Sequence, residues 1–63
     1  MKVSELIKII KRNNCYLVEH GAKHDKWHSN ITNNDFMVPR HRSKELSNGT
    51  LNSILKQAGI KEV

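Results

Sequence analysis

Several features are scarce in this 63-residue chain, and each shortage excludes a class of protein. The single cysteine, Cys15, rules out an internal disulfide and is expected to be a small buried residue in a reducing cytosol. No apolar stretch approaches the ~20 residues of a membrane-spanning helix, and lysines interrupt the N-terminal segment, so no signal peptide is expected. The six acidic residues are scattered, so no carboxylate cluster could hold Mg²⁺. We therefore expect a cytoplasmic protein without a metal or other cofactor.

The length allows one domain, residues 1–63, with room for one layer of sheet and one of helices but not for a bound dinucleotide. Eleven Lys and Arg residues against six Asp and Glu give a formal net charge of +5. This imbalance favours an acidic partner, either nucleic acid or an acidic protein. Solubility alone would also explain it.

Hydrophobic periodicity and turn residues predict an α+β fold of helix, three strands and helix. The hairpin-linked strands should form an antiparallel sheet, and each helix has one apolar stripe. We therefore expect both helices on one sheet face and an open face opposite. The predicted elements are a helix from about Ser4 to Arg12, strands Cys15–His20, His24–Ser29 and Phe36–Val38, a loop over Asn30–Asp35, and a helix capped by Ser47 and ended by Gly59.

The second predicted strand follows a Gly21-Ala22 turn and alternates polar and aromatic side chains. Because alternate residues of a strand share a face, His24, Lys26 and His28 should line the open face. Trp27 should point into the core. An exposed His24 beside cationic neighbours is a candidate proton acceptor near neutral pH.

Further basic residues surround this strand or follow the third one, and each is a candidate contact for an RNA backbone. His28 is a candidate contact for a phosphate or a leaving oxygen. A solvated surface explains each of these residues as well. The candidate RNA-binding residues are Lys23, Lys26, His28, Arg40, Arg42 and Lys44.

A zinc site is a third interpretation, because His20, His24 and His28 are spaced four residues apart. On a helix they would stack as metal ligands. Gly21 and the strand pattern argue against a helix there. Cys15 and the remaining histidine add no standard ligand spacing, so this interpretation is less favoured.

Three segments of the chain, taken together, resemble the HicA family of bacterial toxin endoribonucleases. The resemblance spans nearly the whole chain, with the segments in family order. The chain departs from the common family pattern in two places: Lys23 stands where many members have Ser, and many members have Pro near the position of Asn30. The three segments are Gly21-Ala22-Lys23-His24-Asp25-Lys26-Trp27, Val38-Pro39-Arg40-His41 and the stretch from Gly49 to Ile60.

The resemblance implies a fold similar to a double-stranded-RNA-binding domain and a catalytic histidine at the position of His24. It also implies an mRNA substrate and a HicB-like antitoxin, which we expect to cover the His24 face. On this interpretation His24 is the general base that deprotonates a 2′-OH of RNA, without a metal. The alternatives are a non-catalytic RNA-binding module of the same fold and, less favoured, the zinc-binding interaction domain.

Overall fold

The computed structural model describes residues 1–61, and its elements follow the predicted order, which confirms the α+β fold. The three strands form one antiparallel sheet in the order β1-β2-β3. Within residues 1–61, no helix has the length and apolar character to cross a membrane. The elements are α1 (Val3–Arg12), β1 (Cys15–His20), β2 (His24–Ser29), β3 (Asn34–Pro39) and α2 (Asn48–Ala58).

The hydrophobic core lies between one face of the sheet and the two helices, as predicted. Trp27 and Phe36 are 3% and 2% exposed and belong to one core cluster with the apolar stripes of both helices. The opposite face of the sheet, here called the open face, carries no helix. The stripes consist of Val3, Leu6, Ile7 and Ile10 of α1 and Ile54, Leu55 and Ala58 of α2.

The first helix begins earlier than predicted, because its N-terminal amides find partners far along the chain. The N-cap is Lys2, not Ser4. The amides of Val3 and Ser4 donate to the carbonyl oxygens of Lys44 and Arg42, both at 3.0 Å. These tertiary bonds satisfy amides that a helix otherwise leaves unpaired. Glu5 Oε1 adds a local contact by accepting from the amide of Lys2 at 3.0 Å, but the long-range bonds have no local pattern in the sequence.

The third strand is longer than predicted and includes residues that we assigned to a loop. Asn34 pairs with Ser29, and Pro39 pairs with His24 at the other end. Asn33 takes the turn with a left-handed φ of 60°. Pro39 can lie within the strand because β3 is at the edge of the sheet, where a missing amide hydrogen is tolerated.

The second helix begins and ends as predicted. Ser47 accepts a hydrogen bond from the amide of Thr50 at 3.2 Å. Gly59 adopts a left-handed φ of 77°, and the amide of Ile60 donates to the carbonyl of Leu55 at 2.9 Å. This is a Schellman ending, and its two apolar residues are buried together in the core.

Candidate functional site

The turn between β1 and β2 holds His24 in place through its glycine. A Cβ atom at Gly21 would overlap the carbonyl oxygen of His24, so no other residue fits this backbone path. The amide of Gly21 donates to Asp25 Oδ1 at 3.3 Å. Its carbonyl oxygen accepts from Arg40 Nη1 at 2.8 Å. The turn is therefore fixed by contacts to both peptide groups of one residue.

Asp25 is a mostly buried carboxylate beneath this turn, 9% exposed. Besides the Gly21 amide, it contacts His20 Nδ1 at 3.1 Å across the hairpin. A carboxylate with few water contacts needs such partners to offset its desolvation. Asp25, the residue after His24, thus joins the start of β2 to His20, the last residue of β1.

The alternation along β2 is as predicted. Asp25, Trp27 and Ser29 are buried on the helix side, while His24 is exposed and Lys26 and His28 are partly exposed on the open face. Trp27 belongs to the core, as its position in the strand indicates.

His24 lies where two depressions of the surface meet. One is a hollow of about 240 Å³ on the open face, lined by Glu19, Gly21, Lys26 and Met37 besides His24. The other is a groove of about 370 Å³ between the end of β3 and α2. A single extended polymer strand, such as RNA, could lie in both the hollow and the groove and cross the imidazole between them.

The histidines differ in their partners. His20 and His28 each lie against a carboxylate: His20 Nδ1 is 3.1 Å from Asp25 Oδ1, and His28 Nδ1 is 2.6 Å from Asp35 Oδ1. The ring of His28 also lies 5.2 Å from that of Tyr16, centroid to centroid. The His24 ring makes no hydrogen bond or ion pair with any residue in the range 1–61. Its nitrogens are therefore available to a ligand.

The open face is less basic than we predicted from β2 alone. Glu19 of β1 pairs with Lys26, with Oε2 4.0 Å from Nζ, and Asp35 of β3 contacts His28. Both acids come from neighbouring strands and lie directly opposite their partners in the sheet register. The prediction considered only β2, so it did not include the acidic residues that strand pairing places beside Lys26 and His28.

The structure brings some of the predicted RNA-binding residues to His24 and leaves others farther away. The Lys23 carbonyl accepts from the Arg40 amide at 3.1 Å, so both residues adjoin the turn. Lys26 lies two residues farther along β2. Arg42 and Lys44 have exposed side chains, but their carbonyls cap the start of α1.

No side chain of α2 is among the residues predicted from the sequence for this site. The groove beside His24 is lined on the helix side by Gly49, Thr50, Ser53, Ile54 and Gln57. Positions 50, 53 and 57 fall on one helical face, and all three side chains are exposed and polar. That spacing was a readable signal, but only the fold shows that this face lies beside His24.

The described part of the chain contains no group of three His, Cys, Asp or Glu side chains close enough to hold a metal ion. The zinc interpretation therefore has no ligand set among residues 1–61. Cys15 is buried, and this burial raises the pKa of its thiol, while a hydrogen bond with Ser29 acts in the opposite direction. A thiol held neutral is a poor metal ligand.

Comparison with known proteins gives one match. The family model described as the HicA toxin of bacterial toxin-antitoxin matches residues 3–60, a range that includes the His24 turn, the sheet and both helices. No curated protein and no solved structure matches, so the likeness to double-stranded-RNA-binding domains stays a prediction. The family match confirms the resemblance noted in the sequence. The chain belongs to the HicA family of toxins of bacterial toxin–antitoxin systems.

Proposed function

We propose that this toxin is a metal-independent endoribonuclease that cleaves mRNA, with His24 as the general base. The observation that carries the proposal is the position of His24: an exposed imidazole without a protein partner in residues 1–61, at the junction of a hollow and a groove. The family match supports a toxin role. A net charge of +5 suits a polyanionic substrate.

In the proposed reaction, a ring nitrogen of His24 takes the proton from a ribose 2′-OH. The oxygen then attacks the adjacent phosphorus, and the bond from phosphorus to the 5′-oxygen of the next nucleotide breaks. The leaving oxygen takes a proton from water. The products are a 2′,3′-cyclic phosphate and a 5′-hydroxyl. General-base help of this kind contributes roughly 10²–10⁴-fold, which suffices for a toxin whose targets need a single cut.

The second histidine of the open face is too distant to act on the same phosphate. His28 follows His24 by four residues, which corresponds to ~13 Å along a strand. Asp35 also holds one of its ring nitrogens at 2.6 Å. We therefore assign His28 to contact with RNA away from the cut.

The remaining contacts to RNA divide by distance from His24. Lys23 and Lys26 flank the base and would hold the nearest phosphates. Arg42 and Lys44 are exposed in the connection between β3 and α2 and would bind phosphates outside the cleavage position. Arg40 adjoins the turn and has a second task within the protein, its bond to Gly21.

The proposal is tested by His24→Ala. The matched control is His41→Ala, because both substitutions remove an exposed imidazole. Purified proteins are incubated with a long mRNA, and cleavage is measured by primer extension. Cleavage by His24→Ala should fall by ~10²-fold or more, while His41→Ala should cut like wild type. Circular dichroism should show the same fold for all three proteins.

Two results would decide against the assignment. Wild-type protein that binds mRNA but leaves it intact would identify a non-catalytic RNA-binding module. Equal cleavage by His24→Ala and wild type would show that another residue is the base.

A HicB-like antitoxin is the proposed protein partner of this toxin. Co-expression of the two proteins should suppress the toxicity of the wild type.

A further inference from the structure

The groove between β3 and α2 is shaped as a continuation of the site at His24. Its sheet side is formed by His24, Met37 and Pro39, and its helix side by exposed residues of α2. We propose that this groove binds the RNA strand next to the cut, with the polar side chains of Thr50, Ser53 and Gln57 as its contacts. The inference rests on the proposed function, because the ligand is taken to be the RNA that His24 cleaves.

No neighbour among residues 1–61 requires glycine at position 49. Gly49 is the second residue of α2, in its first turn, where glycine costs less than the ~0.5–1 kcal/mol that it costs relative to alanine in the middle of a helix. Some glycines are required by a left-handed backbone or by a close neighbour, as Gly59 and Gly21 are. A Cβ atom at Gly49 would meet nothing within 4 Å, and its φ lies outside the left-handed range. Gly49 nevertheless borders the groove that contains His24.

The fold does not require glycine at position 49, and the space beside it is unfilled. A ligand that comes close to the helix backbone would explain both features. Glycine is the residue used where another chain must approach. A Cβ atom at position 49 would narrow the groove and would have no other protein atom within 4 Å. Clearance for the substrate is therefore the role that we assign to glycine at this position.

The polar side chains of Thr50, Ser53 and Gln57, here called the helix wall, can form hydrogen bonds with the sugar–phosphate backbone. Gln57 Nε2 donates to Ser53 Oγ at 3.1 Å, which joins these two side chains along the exposed helix face. Thr50 Oγ1 accepts from Ser47 Oγ at 3.0 Å, which leaves the Thr50 hydroxyl hydrogen for another acceptor. Neutral hydroxyl and amide groups are regular contacts of phosphate and sugar oxygens and fix the register of a strand.

This wall contributes position and little charge. None of Thr50, Ser53 and Gln57 is ionised, whereas the lysines and arginines supply the salt-dependent part of the affinity. Loss of a wall contact should therefore weaken binding by a similar factor at low and high salt. That separates the groove from a general electrostatic attraction.

The test uses full-length protein with Gly49→Ala, Gly49→Leu and Gln57→Met, with Asn52→Ala as the control. Asn52 is exposed on α2 but borders a different depression, with Lys56 and Ile60. Affinity is measured in the His24→Ala background, by fluorescence anisotropy with a labelled single-stranded mRNA fragment that stays intact. Cleavage is measured with the same substitutions in the wild-type background.

We expect Gly49→Ala to melt at or above the wild-type temperature, because alanine favours a helix. Gly49→Leu should bind RNA ~10-fold more weakly, the effect of one lost contact of ordinary size, and Gly49→Ala should show a smaller loss in the same direction. Gln57→Met should weaken binding at unchanged melting temperature. Asn52→Ala should match its parent in binding and cleavage.

Unchanged RNA affinity and cleavage in Gly49→Leu and Gln57→Met, with wild-type melting temperatures, would overturn the inference while leaving the endoribonuclease assignment intact. If Gly49→Leu is unfolded, Gln57→Met decides alone. Intact mRNA after incubation with the wild type would instead defeat the proposed function, whatever the binding results.

Discussion

Arg40 Nη1 donates a 2.8 Å hydrogen bond to the carbonyl oxygen of Gly21, although the two residues are nineteen positions apart. Gly21 comes three residues before His24, and its amide is bound by Asp25. The end of β3 thus holds the turn that begins β2. An arginine that the sequence presents as an RNA contact is also part of the support of the proposed catalytic histidine.

Substitution of Arg40 by Met should therefore lower the turnover rate more than the affinity for RNA. Without the guanidinium, the Gly21 carbonyl loses its partner and the turn can relax, which displaces His24. Displacement of a catalytic group by ~1 Å can cost as much as 10²-fold, and we expect a loss of at least ~10-fold in kcat. Single-turnover cleavage at saturating protein measures it.

Arg42→Met is the matched control for this prediction, because it removes the same charge from the same connection. It should raise KM and reduce the salt dependence of binding by about one phosphate contact, with kcat unchanged. The positioning role of Arg40 would be disproved if Arg40→Met changed KM and the salt dependence in the same way and left kcat at the wild-type value.

Local signals in the sequence were sufficient for most of the fold. The alternation of β2 placed Trp27 in the core and His24 outside, and the cap residues Ser47 and Gly59 gave the bounds of α2. These features depend on residues within one element. The start of α1 depends partly on the carbonyls of Arg42 and Lys44, about forty residues away, and that part has no local pattern in the sequence.

Of the candidate site, the sequence alone indicates His24 but not the residues around it. His24 could be chosen from its turn and strand, and from the family resemblance. The rest of the candidate site depends on which elements lie side by side. This holds for the acidic residues of the open face, the hydrogen bond from Arg40 to Gly21 and the polar side chains of α2 that line the groove. Such neighbours are a property of the tertiary fold, and a single sequence without the fold does not show them.

RNA substrates that lack a 2′-OH at the cut should resist the toxin, because that oxygen is the proposed nucleophile. A 2′-deoxy or 2′-O-methyl nucleotide at the cleavage position should abolish cutting there and leave binding near the wild-type level. Native RNA should yield 2′,3′-cyclic phosphate and 5′-hydroxyl ends, and the reaction should proceed in EDTA. Products with 5′-phosphate ends, identified by mass spectrometry, would contradict this chemistry.

The buried thiol of Cys15 should make stability fall at alkaline pH. Burial raises its pKa in the folded state, so the unfolded chain ionises first as the pH rises. The contribution is complete below the pKa of the unfolded thiol and is lost as the pH rises toward the folded value. Urea unfolding of wild type and Cys15→Ala at neutral and alkaline pH should show a stability difference that shrinks with pH. A constant difference would show that this thiol does not titrate differently in the two states.

We expect the HicB-like antitoxin to bind over the open face and compete with RNA. The helices occupy the other face, so this is the broad surface of the sheet that residues 1–61 leave uncovered. It offers exposed apolar area as well as charge: Tyr16 is 51% and Met37 48% exposed. A specific interface buries ~800 Å² per partner, and one of that size centred here would cover His24.

Competition and salt provide the measurements for this prediction. RNA and antitoxin should exclude each other in anisotropy titrations. Their association with the toxin should slow as salt rises, because the chain has a formal net charge of +5 and Lys23 lies in the turn beside His24. His24→Ala should bind the antitoxin as wild type does, since one imidazole is a small part of such an area. In hydrogen exchange of the complex, amides of β2 and its flanking turn should gain protection. If protection is confined to the outer sides of α1 and α2, the antitoxin acts from a distance and does not occupy the RNA site.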